Sequence, residues 1–231
     1  MTTLDRLETG EVEVLGRMPY SSNATLLVMV RSDGSETAAV YKPGRGERPL
    51  WDFPPNIYRR ERAAYLLAEA LGWELVPPTV LRDDAPLGPG SLQLFIDADF
   101  EQHYLTLVED ERHHDHLRAI CVFDLLANNT DRKSGHCLLD GDGRIWGVDN
   151  ALCFAAEPKL RTVIWDFGGE PIAAPLLADV ARLVERGLPP ALARLLDADE
   201  HEALLRRARR VLSDPCFPID RTGRRHPWPL V

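Results

Sequence analysis

The chain has 231 residues, 45% apolar and 27% charged, an ordinary balance for a globular protein with a sizeable core. Its 27 Lys and Arg against 36 Asp and Glu leave a formal charge of −9, which argues against a broad electrostatic grip on nucleic acid or an anionic membrane. The longest obvious apolar run, Ala24 to Val30, falls well short of the roughly 20 residues that span a bilayer. The opening residues Met1 to Arg6 carry no apolar signal core, so the expectation is a cytoplasmic chain with no transmembrane segment.

The first half reads as strand-rich. Glu11 to Leu15, Ala24 to Arg31 and Thr37 to Tyr41 are short segments rich in Val, Leu and Thr, separated by turn residues, and predict an antiparallel meander. A loop of glycines, prolines and charges runs from Pro43 to Pro55. Tyr58 to Leu71 has its apolar residues at helical spacing and ends at Gly72. Val76 to Val80 and Ser91 to Ile96 predict two more strands around a Pro/Gly turn. The second half is mostly helical: Glu109 to Leu126, Ile172 to Arg186, Pro189 to Leu196 and Asp199 to Leu212. Between the first two of these, Cys137 to Leu139 and Arg144 to Val148 flank Asp140-Gly141-Asp142-Gly143, a strong hairpin signal. The tail from Arg221 reads as irregular. The four cysteines form no CxxC pair and sit among apolar residues, which predicts buried free thiols.

The densest chemistry lies in Asn128-Asn129-Thr130-Asp131-Arg132-Lys133-Ser134-Gly135-His136, between a helix and the hairpin. Beyond the hairpin comes Val148-Asp149-Asn150. A hairpin folds the chain back, so Asp149 returns toward Asp131. Two such carboxylates can divide two tasks: one orients a hydroxyl and accepts its proton, the other holds a metal that bridges phosphates.

These residues resemble the protein-kinase-like superfamily. Asn129-Thr130-Asp131-Arg132 followed by Val148-Asp149-Asn150-Ala151-Leu152-Cys153-Phe154 is similar to the phosphatidylinositol 3-/4-kinase branch, type II phosphatidylinositol 4-kinases above all, with a second likeness to HipA-type kinases and to an actinobacterial-type subfamily. The resemblance covers roughly residues 14 to 170. It implies an α+β, minimal two-lobe protein-kinase-like fold: an antiparallel-sheet lobe over residues 1–96, and a helical lobe with a small hairpin over 97–231. It implies ATP and Mg²⁺, or Mn²⁺, as cofactors. Asp131 matches the residue that positions the acceptor hydroxyl, and Lys133 a lysine near the γ-phosphate. Asp149 matches the metal-chelating Asp. Lys42 matches the strand lysine on the α/β-phosphates, and Glu61 its helix partner. The turn between the first two strands lacks repeated glycines; Ser21, Ser22 and Asn23 stand there as candidate phosphate donors. Gln93, Phe95 and Ile96 fall in the segment expected to meet adenine. Five residues after Asp131, where the family carries a metal-binding Asn, this chain has His136. Mg²⁺ prefers oxygen ligands, so His136 leaves three readings open: weak ligation, a one-metal or Mn²⁺ site, or nucleotide binding without turnover.

Several features invite other readings. Asp166-Phe167-Gly168 spells DFG, but 35 residues after Asp131 it belongs to a substrate-facing loop rather than the metal site. His113 to His116 point in different directions on a helix and read as a solvated helix start. Arg206 to Arg210 reads as a charged helix face. Asp124 shares a helix face with Leu117, Ile120 and Cys121, and a buried carboxylate there predicts a brace for the catalytic loop. The expectation is a phosphotransferase acting on a hydroxyl of a protein, a lipid or a small alcohol, or else a nucleotide-binding pseudokinase. A metal phosphohydrolase built on His113 to His116 is the outlying alternative.

Overall fold

A computed structural model describes residues 2–19 and 23–230. The candidate phosphate donors Ser21 and Ser22 lie outside the described residues. A five-stranded antiparallel sheet forms first, from β1 (Glu11–Arg17), β2 (Leu26–Ser32), β3 (Ser35–Pro43), β4 (Thr79–Arg82) and β5 (Gly90–Leu94), in the order β1-β2-β3-β5-β4. Burial alternates residue by residue along β2 and β3. Val28, Val30, Ala39, Tyr41, Val80 and Leu92 therefore share one covered face. A short helix that the sequence pattern did not indicate, α1 (Thr3–Thr9), sits on that face through Leu7. It is held by a reciprocal Thr2–Asp5 cap, and Arg82 Nη1 donates to its closing carbonyls at Leu7 and Gly10, 3.0 Å each.

Helix α2 (Tyr58–Leu71) matches its sequence bounds and stops where Gly72 turns left-handed at φ 76°. The strand expected from Val76 starts only at Thr79, because Pro77 and Pro78 have no N–H for the ladder. The helical part comprises α3 (Tyr104–Leu107), α4 (His114–Ala127), α5 (Ala174–Arg186), α6 (Pro190–Ala193) and α7 (Ala198–Ser213). The helix expected from Glu109 begins five residues later, since Asp110 caps a separate 3-10 turn over Glu111–His113. The segment expected to be helical to Leu196 is helical only over α6. The hairpin forms as read, with β6 (Cys137–Leu139) paired to β7 (Ile145–Gly147).

The largest apolar core runs from α2 through α4, α5 and α7 and includes Leu67, Leu71, Ile120, Phe123, Leu126, Phe154 and Leu204. Helix α2 therefore belongs to both parts: one side meets the sheet, the other the helical core. Arg60 fixes this second contact by donating to the Cys153 carbonyl and pairing with Glu200, both buried. The chain leaves β5 through Phe95–Ile96 and bonds back to the hairpin, Asp99 N–H to Leu139 O at 3.0 Å. Among the described residues, no helix is long and apolar enough to cross a membrane.

Candidate active site

The site forms where β3, α2, the loop after α4 and the end of the hairpin meet. Lys42 projects from β3 and binds Glu61 of α2 and, at 2.7 Å, Asp149 Oδ1. Glu61 is 1% exposed, and its second oxygen accepts the Asn150 N–H at 3.0 Å. One carboxylate thus joins the sheet lysine to the backbone beside Asp149. The Lys42 ammonium is partly buried, which works against its charge; Asp149 and Glu61 outweigh this and hold its pKa above the ordinary lysine value. Lys42, in turn, holds the Asp149 carboxyl far below the usual carboxylate range, although Asp149 stays half-exposed.

The hairpin register delivers Asp149. Cys137 pairs with Gly147, and Val148 N–H continues the ladder onto His136 O at 2.9 Å, so Asp149 emerges beside His136. Its φ of 56° is left-handed, a conformation Asp tolerates better than most residues. His136 Nε2 lies 3.4 Å from Asp149 Oδ2. Its Nδ1 accepts the Lys133 N–H at 3.3 Å, which leaves the ring proton on Nε2, directed at Asp149. Burial pushes the imidazole down to about 4, against the pull of Asp149, so the ring is neutral near pH 7.

Helix α4 ends at Asn128, which is left-handed at φ 52° and whose amide donates to Ala155 O and Glu157 O. The loop that follows carries Asp131, with Lys133 Nζ 3.4 Å from its Oδ2. Burial raises the Asp131 carboxyl above its ordinary value while Lys133 opposes the shift; the negative charge of Asp149 adds to it. Beneath the loop lies Asp124, 1% exposed, paired at 2.9 Å with Arg132, which is wholly buried. Asp124 also accepts from Asn129 at 3.1 Å and Thr162 at 3.4 Å. Arg132 reaches across to Val148 O at 2.6 Å and Asn150 Oδ1 at 2.7 Å, the two residues flanking Asp149. A Cβ at Gly147 would stand 3.3 Å from this guanidinium, so glycine makes room for it.

This arrangement presents a cation, two carboxylates and a second lysine to one cleft between sheet and helices, bridged by Lys42 to Asp149 and by the Asn150 N–H to Glu61. It suits a polyphosphate with a divalent cation. Mg²⁺ sites of this kind take one or two carboxylates, the remaining ligands being phosphate oxygens and water. Asp149 meets that need; His136 can ligate through Nε2 only by giving up the Lys133 bond or its proton.

No protein-family model matches the chain. Protein Rv2133c of Mycobacterium tuberculosis is 42% identical over 260 aligned residues, which cover 96% of this chain and 93% of that one. The chain belongs to the Rv2133c family. Two solved structures extend the likeness to architecture. Hydra Fam20, solved with sugar, superposes with a TM-score of 0.60 at 15% identity, over 91% of this chain and 86% of its own. The Helicobacter pylori proinflammatory kinase CtkA gives 0.53 at 12% identity, over 91% and 94%. At such identities these matches speak to fold alone: this member of the Rv2133c family has a protein-kinase-like fold. They single out no branch among proteins of that fold.

Of the residues chosen from sequence, Lys42, Glu61, Asp149 and His136 form one connected group, and Asp131 and Lys133 pair beside it. Asn23 ties the turn before β2 to the next loop, accepting the Arg48 N–H at 3.1 Å. Gln93 lies inside the sheet, paired to Val40 and Thr79, and its amide donates to Thr79 Oγ1 at 2.8 Å. Phe95 and Ile96 follow directly after β5, and Phe95 N–H bonds Ala38 O at 3.0 Å. Asp166 binds the Tyr104 hydroxyl and Phe167 is core, so the literal DFG takes no part. His114 packs on Phe167 and bonds Val108 O at 2.8 Å, and no metal cluster occurs among the described residues. The missed residues are Arg132, Asn150 and Arg60. Of the arginine run, Arg207 is structural, donating to Leu126 O at 2.7 Å and to Ala155 O.

Proposed function

We propose that the chain is a phosphotransferase that uses ATP and a divalent cation, Mg²⁺ or Mn²⁺, to phosphorylate a hydroxyl acceptor. The single observation that carries the reading is the Lys42–Glu61–Asp149 group, built from three separate elements and placed beside Asp131. The sheet part over residues 1–96 and the helical part over 97–231 act as the two lobes, with ATP between them. Lys42 neutralises the α/β-phosphates, and Glu61 holds it there. Asp149, with His136 in support, binds the metal; the metal supplies charge neutralisation at the phosphates. Asp131 orients the acceptor hydroxyl and receives its proton, and Lys133 offsets charge near the γ-phosphate. Asn23, with Ser21 and Ser22 as the sequence suggests, supplies donors to the phosphates, and Phe95–Ile96 meets adenine. The catalytic-loop motif favours the phosphatidylinositol 3-/4-kinase-like branch, in a cytoplasmic setting.

The test is transfer of label from γ-labelled ATP with Mg²⁺ or Mn²⁺, wild type beside Asp131→Ala. Transfer or phosphate release should fall at least 100-fold in the variant with ATP binding retained. Equal turnover in both proteins refutes the assignment. A pseudokinase is the second reading, favoured by His136 standing where the family carries a metal-binding Asn, its Nε2 3.4 Å from Asp149 Oδ2. It expects ATP binding without turnover in wild type, and some turnover gained by His136→Asn.

A further inference from the structure

The catalytic loop has a second neighbour besides the hairpin. Residues 161–163 run alongside it: Arg161 N–H bonds Asn129 O at 2.9 Å, Arg132 N–H bonds Arg161 O at 3.1 Å, and Val163 N–H bonds Arg132 O at 3.0 Å. Thr162 points its N–H the other way, to Arg225 O at 3.0 Å, and Ser134 N–H bonds Leu230 O at 2.7 Å. Residues 225–230 thus lie along the outer edge of the loop that carries Asp131. Between them and the loop is a cavity of about 320 Å³, lined by Leu105, Val163, Trp165, Asp166, His226 and Leu230. The Trp165 indole N–H is buried and makes no hydrogen bond among the described residues.

We propose that this groove binds an extended, basic polypeptide, and that residues 220–230 occupy it in cis and must leave for an acceptor chain to enter. The proposal deepens the phosphotransferase reading by naming the acceptor class; only its activity arm rests on that reading.

Three observations carry it. The recognition is by main chain: the N–H groups of Thr162 and of Ser134, three residues after Asp131, take carbonyls five residues apart, up to roughly 17 Å of extended chain. A polypeptide satisfies both donors; a small alcohol cannot span them. The present occupant is held lightly. Only Pro227 is buried among 221–230, and Trp228 is 88% exposed. A segment with so little buried surface belongs to the low-stability end of a fold. The segment is basic: Arg221, Arg224, Arg225 and His226 lie in it in a chain with net charge −9, with His226 Nδ1 3.9 Å from the segment's own Asp220, while Asp166, whose carboxylate accepts from the Tyr104 hydroxyl, lines the groove. Asp220 starts the segment by accepting from the Thr222 N–H and hydroxyl and, at 3.1 Å, from the Arg225 N–H; this turn aims residues 225–230 at the loop.

The test uses a fluorescein-labelled peptide of residues 220–230, read by anisotropy. The proteins are the intact chain, a truncation ending at Ile219, and intact Asp220→Ala. The truncation should bind the peptide at least tenfold more tightly than the intact chain, because the tethered segment competes at high effective concentration. Asp220→Ala should fall between them, and it keeps the test decisive where the truncation fails to fold. A scrambled peptide should bind none. Equal or absent peptide binding by folded truncation and intact chain overturns the proposal. In the activity arm, label transfer to a degenerate Ser/Thr peptide mixture should rise at least threefold on truncation; a fall makes the segment a brace rather than an occupant and overturns it. Differential peptide binding with no phosphate turnover in any protein refutes the phosphotransferase reading and leaves the groove. Turnover without differential binding refutes the groove alone.

Discussion

Arg132→Met removes one partner of the ion pair under the catalytic loop. Arg132 is wholly buried, and its guanidinium makes bonds of 2.6 to 3.2 Å to Asp124, Val148 O and Asn150. Methionine fills comparable space but leaves the Asp124 carboxylate with only Asn129 and Thr162, at 3.1 and 3.4 Å. Stranding one charge of a buried pair costs about 3–5 kcal/mol. In a domain of this size each kcal/mol lowers the Tm by about 2–4 °C, so the melt should drop by roughly 6–20 °C. The assay is thermal unfolding followed by circular dichroism. Asp124→Leu with Arg132→Met should recover most of the loss, because the apolar pair strands no charge. The recovered stability should not bring ATP turnover back, since Val148 and Asn150 still lose the arm that positions Asp149. A single-variant loss below about 1 kcal/mol, or a double variant no more stable than the single, refutes the reasoning.

Two further outcomes follow from packing and exposure. Gly90→Ala would set a Cβ 2.5 Å from the Lys42 carbonyl oxygen and 2.9 Å from Pro43 Cα, backbone that cannot yield without shifting β3. It should cost about 1–3 kcal/mol in urea unfolding and weaken ATP binding through Lys42, whereas Gly16→Ala, with nothing within 4 Å, should stay within about 0.5 kcal/mol; equal effects would contradict the sheet register. With Ellman's reagent at pH 8, exposed Cys216 should react promptly and the other three thiols only on unfolding. Burial pushes Cys137 up to about 12, with Cys121 and Cys153 also raised, so the thiolate is roughly one part in ten thousand at Cys137; more than one prompt equivalent would contradict the buried core.

Fold and site were legible to different depths. The Val, Leu and Thr enrichment between turn residues in β2 and β3, the helical spacing that Gly72 ends in α2, and the Asp-Gly-Asp-Gly turn each report local backbone preference, and each element formed. The same turn made the return of Asp149 toward the catalytic loop readable, because a hairpin of known register fixes where its ends emerge. Helix α1 was missed because only Leu4 and Leu7 in its seven residues pack inward, and two positions are too few to show a period. The strand at Val76 was misplaced by the missing N–H groups of Pro77 and Pro78.

The sequence alone determined the meander, the hairpin, the inward face of α4 with Asp124 on it, and the two carboxylates that the hairpin returns toward each other. The family resemblance named Glu61 as the partner of Lys42; only the tertiary structure decided the other charge pairs. Arg60 meets Glu200 across 140 positions, Lys42 meets Asp149 across 107, and residues 225–230 settle on the loop after Asp131. Spacing carries no record of such choices. With 27 basic and 36 acidic side chains, almost any pairing is open to composition, and only burial at one shared place, where an unpaired charge is costly, selects among them.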